Sequence, residues 1–259
     1  MTGVLVEPRS IDLNCDMGEG FGAYKMGPDA ELLRHVTSAN IACGFHAGDP
    51  RTMDATVEAA ANAGAAIGAH VSYPDLVGFG RRHITVSAEE LITDVLYQVG
   101  ALEAFCHRYG AAVRYVKAHG ALYNDLADDE DLAAALAKAV VSYGGALAVL
   151  TLSGSRSVAV LEGAGVRVVQ EAFADRAYTA DGRLLSRSEA GSVLTDPTVV
   201  AERGRRLASG EAIEAQDGQP LVVRAGSICV HGDTPGAIVL ADALRRNLAE
   251  AGVEVRAFS

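Results

Sequence analysis

The sequence predicts an α/β fold in which seven strand–helix units form a barrel-like (β/α)7 arrangement. Short β-rich runs alternate with longer helical segments along the whole chain, a pattern typical of a parallel sheet covered by helices. Several strand candidates are nearly continuous apolar runs, as expected for strands buried on both faces. Periodicity does not separate a closed barrel from an open doubly wound sheet. Of the two we expect the barrel, as one domain over residues 1–259, since such barrels commonly take about 250 residues.

The strand candidates follow one another as repeated right-handed βα units. They are residues 10–16, 37–43, 65–71, 113–118, 146–152, 166–171 and 222–231. Residues 172–196 are polar with weak periodicity, so we expect a long loop on one face of the fold, as in proteins with a lid.

Two helices between or after these strands have clear ends. Ser87 and Glu90 form a capping box, and the helix that follows is expected to reach about Tyr109. Asp233 precedes a proline that suits the first turn of the last helix, which is expected to reach about Ala251.

Composition and charge exclude several classes of protein. The net charge of −11 opposes nucleic-acid binding, which needs a basic surface. No apolar run approaches the ~20 residues that span a bilayer, and no export signal begins the chain, so we expect a soluble, cytoplasmic protein with no membrane partner. The four cysteines are widely spaced, which favours buried thiols over structural zinc or a redox pair. Assembly of identical copies is left open.

Nucleotide-binding loops have no signal in this sequence. Neither a Gly-x-Gly-x-x-Gly turn nor a Gly-x-x-x-x-Gly-Lys-Ser/Thr loop is present. Any chemistry that uses ATP therefore needs another chain or an unfamiliar site.

Polar residues gather along the first strand. The strand period of two places Asp12, Asn14 and Asp16 on one face. Polar side chains inside a sheet cost folding energy unless they are paired, so the row indicates either a site or a buried hydrogen-bond network. Of these we expect the site.

Histidines follow the second and third strands. Flanking glycines allow the chain to turn sharply and bring His46 over the strand ends. His70 lies at the corresponding place near the end of the third strand. A single histidine here is typical of a satisfied loop residue. Two of them facing Asp12 form a plausible set for a divalent metal of unknown identity or for acid–base chemistry.

Later strands add further polar ends. The fourth strand carries Lys117 and His119 on one face, in a chain whose basic residues are mostly arginine. We expect Lys117 to contact a substrate, the alternative being a pair with a buried carboxylate. Glu171 ends the sixth strand. The neighbouring Asp175 and Arg176 are equally consistent with an exposed ion pair and a site.

The last strand alternates Ser227, Cys229 and His231 inward, and Asp233 follows as a cap first and a site residue second. All these groups fall at the carboxyl ends of predicted strands. Parallel βα folds bind ligands at that edge, because loops and helix amino termini converge there.

Five motifs make the sequence recognisable. LNCDMGEGFG at 13–22, SANIACGFHAGDP at 38–50, GAHVSYPD at 68–75, VKAHGALYN at 116–124 and VHGDTP at 230–235 together resemble the LamB/YcsF family, the A subunits of 5-oxoprolinase. The resemblance extends over essentially the whole chain in the same order. It implies a barrel similar to the glycoside hydrolase/deacetylase superfamily and a part in ATP-dependent conversion of 5-oxo-L-proline to L-glutamate with separate B and C subunits.

The resemblance also indicates site residues in this chain. Those expected to act in acid–base or charge-stabilising catalysis are Asp12, His70, Lys117 and His119. Those expected to bind the small-molecule substrate are Asn14, Asp16, Glu19, Asn40, Glu171, His231 and Asp233. A divalent metal, if bound, is expected at Asp12, His46 and His70, with ATP as a co-substrate of the assembly.

Two other functions stay open beside a lactam hydrolase subunit. One is a stand-alone metal-dependent deacetylase or amidohydrolase, motivated by Asp12, His46 and His70 and distinguished by chelator-sensitive activity without ATP. The other is a non-catalytic binding subunit, which would tolerate the exchange of Asp12 for Asn.

Overall fold

The computed structural model describes residues 9–144, 146–232, 234 and 236–259. Seven strands run parallel and form the central sheet: β1 Ser10–Met17, β2 Ser38–Ala42, β3 Ala66–Val71, β4 Val113–Ala118, β5 Ala148–Leu152, β6 Arg167–Phe173 and β9 Ser227–Cys229. Three short strands complete the list: β7 Ile213–Glu214, β8 Pro220–Leu221 and β10 Glu254–Val255.

Helices connect the strands and cover the outside of the sheet. They are α1 Asp29–Leu32, α2 Pro50–Ala63, α3 Ala88–Arg108, α4 Gly120–Asp128, α5 Glu130–Ser142, α6 Arg156–Gly163, α7 Pro197–Ser209 and α8 Ala237–Glu250. Within the described residues, no helix is both long and apolar enough to cross a bilayer.

The sheet closes on itself as a seven-stranded parallel barrel. The strands follow in chain order from β1 to β6, and β9 pairs with both β6 and β1. Ser227 in β9 lies opposite Glu171 on one side and Asp12 on the other. The barrel prediction is therefore confirmed, and the open sheet is excluded.

Alternate residues of each strand face the helices or the barrel interior. Leu13 and Cys15 belong to the large apolar core shared with the helices. A second, small apolar cluster of Tyr115, Leu150 and Val169, with Phe258 packed against it, lies apart from that core. Polar side chains occupy the interior above this cluster, towards the carboxyl ends of the strands.

Three of the four predicted helix ends are recovered to within one residue, and the start of the last helix is not. Ser87 accepts a hydrogen bond from the Glu90 amide at 3.3 Å, and the Glu90 carboxylate accepts one from the Ser87 amide at 2.7 Å, which is the expected capping box. Helix α3 ends at Arg108, next to the predicted Tyr109. Helix α8 ends at Glu250, next to the predicted Ala251, but its N-cap is Gly236 and no side chain caps it, so the predicted start is too early. Asp233 and Pro235 themselves lie outside the described residues.

One strand prediction is too long. Residues 222–231 contribute only Ser227–Cys229 to the barrel, and residues 222–226 belong to no strand. Just before this range, Pro220–Leu221 pairs with Ile213–Glu214 as an antiparallel hairpin. The Asp217-Gly218 turn between them was the signal for this hairpin.

The long loop predicted over residues 172–196 is present after β6 ends at Phe173. Isolated bridges from Arg176 to Val193 and from Tyr178 to Leu184 fold it back on itself. Its residues 184–188 line the cavity at the carboxyl ends of the barrel strands.

Candidate active site at the carboxyl ends of the strands

A cavity of about 550 Å³ opens at the carboxyl ends of the barrel strands. Residues from five strands or the loops directly after them reach it, since parallel strands bring their ends to one edge. The titratable groups that line it and were predicted from the sequence are Asp16, Glu19, His70, Lys117, His119 and His231.

Lys117 lies in the barrel interior as a counter-ion. Its Nζ atom is 2.8 Å from Glu171 Oε1 and 3.0 Å from Asp16 Oδ1, and it donates to Asn14 Oδ1 at 3.2 Å. The ammonium side chain is only 3% exposed, so snorkelling to solvent is excluded. The structure thus realises the alternative in which Lys117 balances buried carboxylates. A contact with substrate remains a prediction, because Lys117 also borders the cavity.

The charges of this network stabilise each other. Burial alone would lower the pKa of Lys117, but Asp16, Cys229 and Glu171 raise it well above its ordinary value. Burial alone would likewise raise the pKa of Asp16, yet His70 and Lys117 hold it well below the usual range. Lys117 is therefore an ammonium and Asp16 a carboxylate at neutral pH.

Asp12 lies deeper in the barrel than the sequence indicated. Its carboxylate accepts hydrogen bonds from Thr37 at 2.7 Å, from Ser38 at 2.6 Å and from Ser227. Burial raises its pKa although these hydroxyl groups act in the opposite direction. The expected grouping of Asp12 with His46 and His70 does not form, because Asp12 is near the beginning of β1 whereas both histidines are at strand ends. This geometry is that of a buried hydrogen-bond network.

Glu19 takes the place that Asp12 was expected to fill. Its Oε1 atom is 3.2 Å from His46 Nε2, 3.3 Å from His119 Nδ1 and 3.9 Å from His70 Nε2. The His46 and His119 rings stack with centroids 3.8 Å apart. Burial, and then the neighbouring histidines, lower the pKa of both rings well below the ordinary value. Both rings are consequently neutral at physiological pH.

Two of these rings bring one nitrogen atom each close together. His70 donates Nδ1–H to the Lys117 carbonyl at 3.3 Å, and His119 donates Nε2–H to the Phe79 carbonyl at 2.9 Å. The remaining nitrogens, His70 Nε2 and His119 Nδ1, are 3.0 Å apart beside the Glu19 carboxylate. Two imidazole nitrogens at this distance need a proton or a cation between them.

The four side chains Glu19, His46, His70 and His119 fit a divalent metal. One ligand atom from each lies within 4.8 Å of the others. Backbone carbonyls fix the tautomers of His70 and His119, as is usual for metal-binding histidines. In addition, the buried Nδ1 atom of His46 has no hydrogen-bond partner in the described structure. Imidazole and carboxylate ligands together suit zinc and similar first-row ions.

A strained turn supports the histidines. Phe79, whose carbonyl binds His119, has φ of 56°, which is uncommon for a residue with a side chain. Gly80 follows with φ of 63°, and a Cβ atom there would lie 2.8 Å from His46 Cβ. Only glycine therefore allows this turn to approach the histidines so closely.

The other predicted residues lie in the lysine network, at the cavity or outside the described part of the chain. Asn40 donates to Asn14 and Asp16, each at 2.7 Å, and so belongs to the lysine network. Glu171 accepts a hydrogen bond from Tyr123 at 2.7 Å in the same network. His231 lines the cavity beyond it. Asp233 lies outside the described residues.

The sequence did not indicate that Asp175 pairs with His231. Its carboxylate is fully buried and lies 2.9 Å from His231 Nδ1, so it is not an exposed ion pair with Arg176. Tyr123 was also missed. Both residues stand within short polar stretches at strand ends, but no spacing rule links Asp175 to a histidine 56 residues later.

The four cysteines match the expectation of buried thiols. Cys15, Cys43, Cys106 and Cys229 are all free and buried. Cys229 lies inside the barrel, where its Sγ atom is 3.4 Å from Lys117 Nζ.

Comparison with solved structures supports the architecture. The lactam utilization protein from Thermus thermophilus superposes with a TM-score of 0.91 at 46% identity, over 96% of this chain and all of that one. A family 4 carbohydrate esterase from Streptomyces lividans superposes with a TM-score of 0.50 at 13% identity, over 96% of this chain and 93% of that one. The second likeness shows the fold alone.

Sequence comparison gives the family. A 5-oxoprolinase A subunit of Pseudomonas syringae pv. tomato is 51% identical over 251 residues, which are 97% of this chain and 98% of that protein. The model of the LamB/YcsF family matches residues 11–259. This chain belongs to the LamB/YcsF family.

Proposed function

We propose that this chain is the A subunit of an ATP-dependent 5-oxoprolinase. With B and C subunits in the cytoplasm, it opens the ring of 5-oxo-L-proline to give L-glutamate. The observation that carries this proposal is the cavity of carboxylates and histidines, in a chain about half identical, over nearly its full length, to 5-oxoprolinase A subunits.

The reaction explains the need for ATP. A lactam is stabilised by resonance, and its amine product tends to close the ring again, so coupling to ATP makes opening favourable. The proposal assigns nucleotide handling to the assembly, since the sequence lacks both loop motifs for phosphate binding. In this chain, the cavity would exclude bulk water and orient the ring against its polar wall.

The proposal includes a divalent metal at Glu19, His46, His70 and His119. When bound there, such an ion would polarise an oxygen of the ligand and stabilise negative charge. Its binding has a test that does not depend on activity. We expect chelator-treated protein to take up about one equivalent of Zn²⁺, Mn²⁺ or Co²⁺, measured by elemental analysis, and to unfold at a higher temperature.

Two variants make the metal test specific. His119→Gln should abolish the uptake and the thermal shift, whereas His107→Gln should keep both, because His107 is 71% exposed on α3. Uptake that survives in His119→Gln, or zinc held on the cysteines, would contradict this site.

The activity itself is tested with the purified chain and its candidate B and C partners. We expect glutamate formation from 5-oxoproline only when ATP and all three chains are present. Robust ATP-driven turnover by the lone chain would contradict the division of labour, and no turnover by the full set would contradict the proposed reaction.

A stand-alone metal-dependent amidohydrolase is the second candidate. The Glu19 and histidine cluster favours it, because such a set suits a hydrolytic metal without a nucleotide. Chelator-sensitive hydrolysis of an amide or acetyl group by the lone chain, without ATP, would establish this function instead.

A further inference from the structure

His231 and Asp175 form a pair on the cavity wall. His231 lines the cavity just after β9, whereas Asp175 is fully buried in the loop after β6. The His231 Nδ1 atom is 2.9 Å from Asp175 Oδ2 and 3.0 Å from Oδ1. The ring also stacks on Phe173, with centroids 5.4 Å apart and planes at 15°.

These contacts fix the orientation and the tautomer of His231. Asp175 is a carboxylate, since His231 holds its pKa low although burial acts in the opposite direction. It therefore accepts the Nδ1–H of the ring, and it also accepts the His231 backbone N–H at 3.1 Å. Within the described part of the chain, the hydrogen bonds of this ring all involve Nδ1. The Nε2 lone pair is thus kept for proton transfer.

The other bases predicted as catalytic at the cavity are already engaged. His70 and His119 each donate one ring N–H to a backbone carbonyl, and the other ring nitrogen of each lies beside the Glu19 carboxylate. Lys117 is held by Glu171 and Asp16. None of these groups has a carboxylate that holds one ring nitrogen and leaves the other without a partner. His83, which also lines the cavity with Nδ1 2.7 Å from Asp125, differs from His231 because its side chain is 64% exposed to solvent.

We propose that His231 is the residue that transfers the proton during ring opening, and that Asp175 is its positioning residue. This inference rests on the proposed function and changes the role of His231 from substrate binding to catalysis. The arrangement follows the same logic as the aspartate and histidine of hydrolytic triads, in which the aspartate holds the productive tautomer.

The proton transfer balances once the part played by ATP is included. In the assembly, ATP would transfer its terminal phosphoryl group to the lactam oxygen, which gives ADP, a carbon–nitrogen double bond and the release of the lactam N–H proton to solvent. Nε2 takes a proton from the attacking water as the water oxygen bonds to that carbon and the π electron pair moves to nitrogen. Nitrogen takes this proton from Nε2 and the remaining proton of the water as the carbon–nitrogen bond breaks, which gives an amine and an acyl phosphate. His231 ends as it began, and a second water splits the acyl phosphate into L-glutamate and phosphate.

The test uses the reconstituted assembly of all three chains with 5-oxoproline and ATP. We expect His231→Gln to lower kcat by about 10²–10⁴-fold with KM changed less than about threefold. Asp175→Asn should also lower kcat, because its amide can donate to Nδ1 and move the ring proton to Nε2. Asp175→Glu should restore part of the rate, which a packing role alone would not produce. The matched control is His107→Gln, which removes another histidine paired with a carboxylate, at the surface of α3.

The outcomes separate the two levels of the proposal. Variants of His231 that keep the wild-type kcat, or that raise only KM, overturn the proton-transfer role while the proposed function stands. A wild-type assembly that makes no glutamate overturns both. If a variant does not fold, nitrogen-15 NMR of the wild-type histidines decides: a neutral His231 with its proton on Nε2 contradicts the proposal.

Discussion

Replacing Lys117 by methionine tests the buried charge network directly. Methionine keeps much of the volume of the lysine stem, so little cavity is created. The change leaves Glu171 fully buried and Asp16 beside it without their shared cation. Breaking a buried ion pair in this way costs about 3–5 kcal/mol. Tyr123 and His70 still contact the two carboxylates, so we expect the lower end, about 3 kcal/mol.

The assay is urea unfolding of the wild-type chain, of Lys117→Met and of Lys117→Met combined with Glu171→Gln. The double variant also removes the unpaired charge of Glu171, while the glutamine in its place can still accept the Tyr123 hydrogen bond. We expect it to be more stable than the single variant by at least about 1 kcal/mol, because the two sites are coupled.

Two results would refute this reasoning. One is a loss of less than about 1 kcal/mol in Lys117→Met, and the other is a double variant no more stable than the single one. Activity in the reconstituted assembly is measured separately. A fall of about 10²-fold with unchanged stability would assign Lys117 to the substrate, as the sequence suggested.

Further predictions concern pH and packing. Burial raises the pKa of Asp29 to about 6, so its charge destabilises the folded chain increasingly as the pH rises from about 4 through 6. Asp29→Asn should therefore gain about 2–3 kcal/mol relative to wild type between pH 4 and pH 8 in urea unfolding, and a pH-independent difference would contradict this. Gly68→Ala should cost about 1–3 kcal/mol, since its Cβ would lie 2.1 Å from the Tyr115 ring. Gly100→Ala, in helix α3 with open space around it, should instead gain about 1 kcal/mol, and equal effects at the two glycines would refute the packing argument.

Local patterns determined the elements of this protein and their polar faces. The period of two placed Asp12, Asn14 and Asp16 together, and all three do face the barrel interior. The capping box at Ser87 fixed the start of α3. Such features depend on residues a few positions apart, so the sequence carries them directly. The family motifs then indicated the correct architecture.

The chemical groupings were decided by tertiary structure. Glu19 lies in a loop, and only the barrel's register brings it, rather than Asp12, to His46 and His119. Asp175 meets His231 because β6 and β9 are neighbours in the closed sheet, although 56 residues separate the two. The sequence alone determined which polar residues end which strand. The height of each polar side chain along the barrel axis depends on the pairing of strands that are distant in sequence, and so does the strand that it faces. Only the closed barrel fixes these two properties.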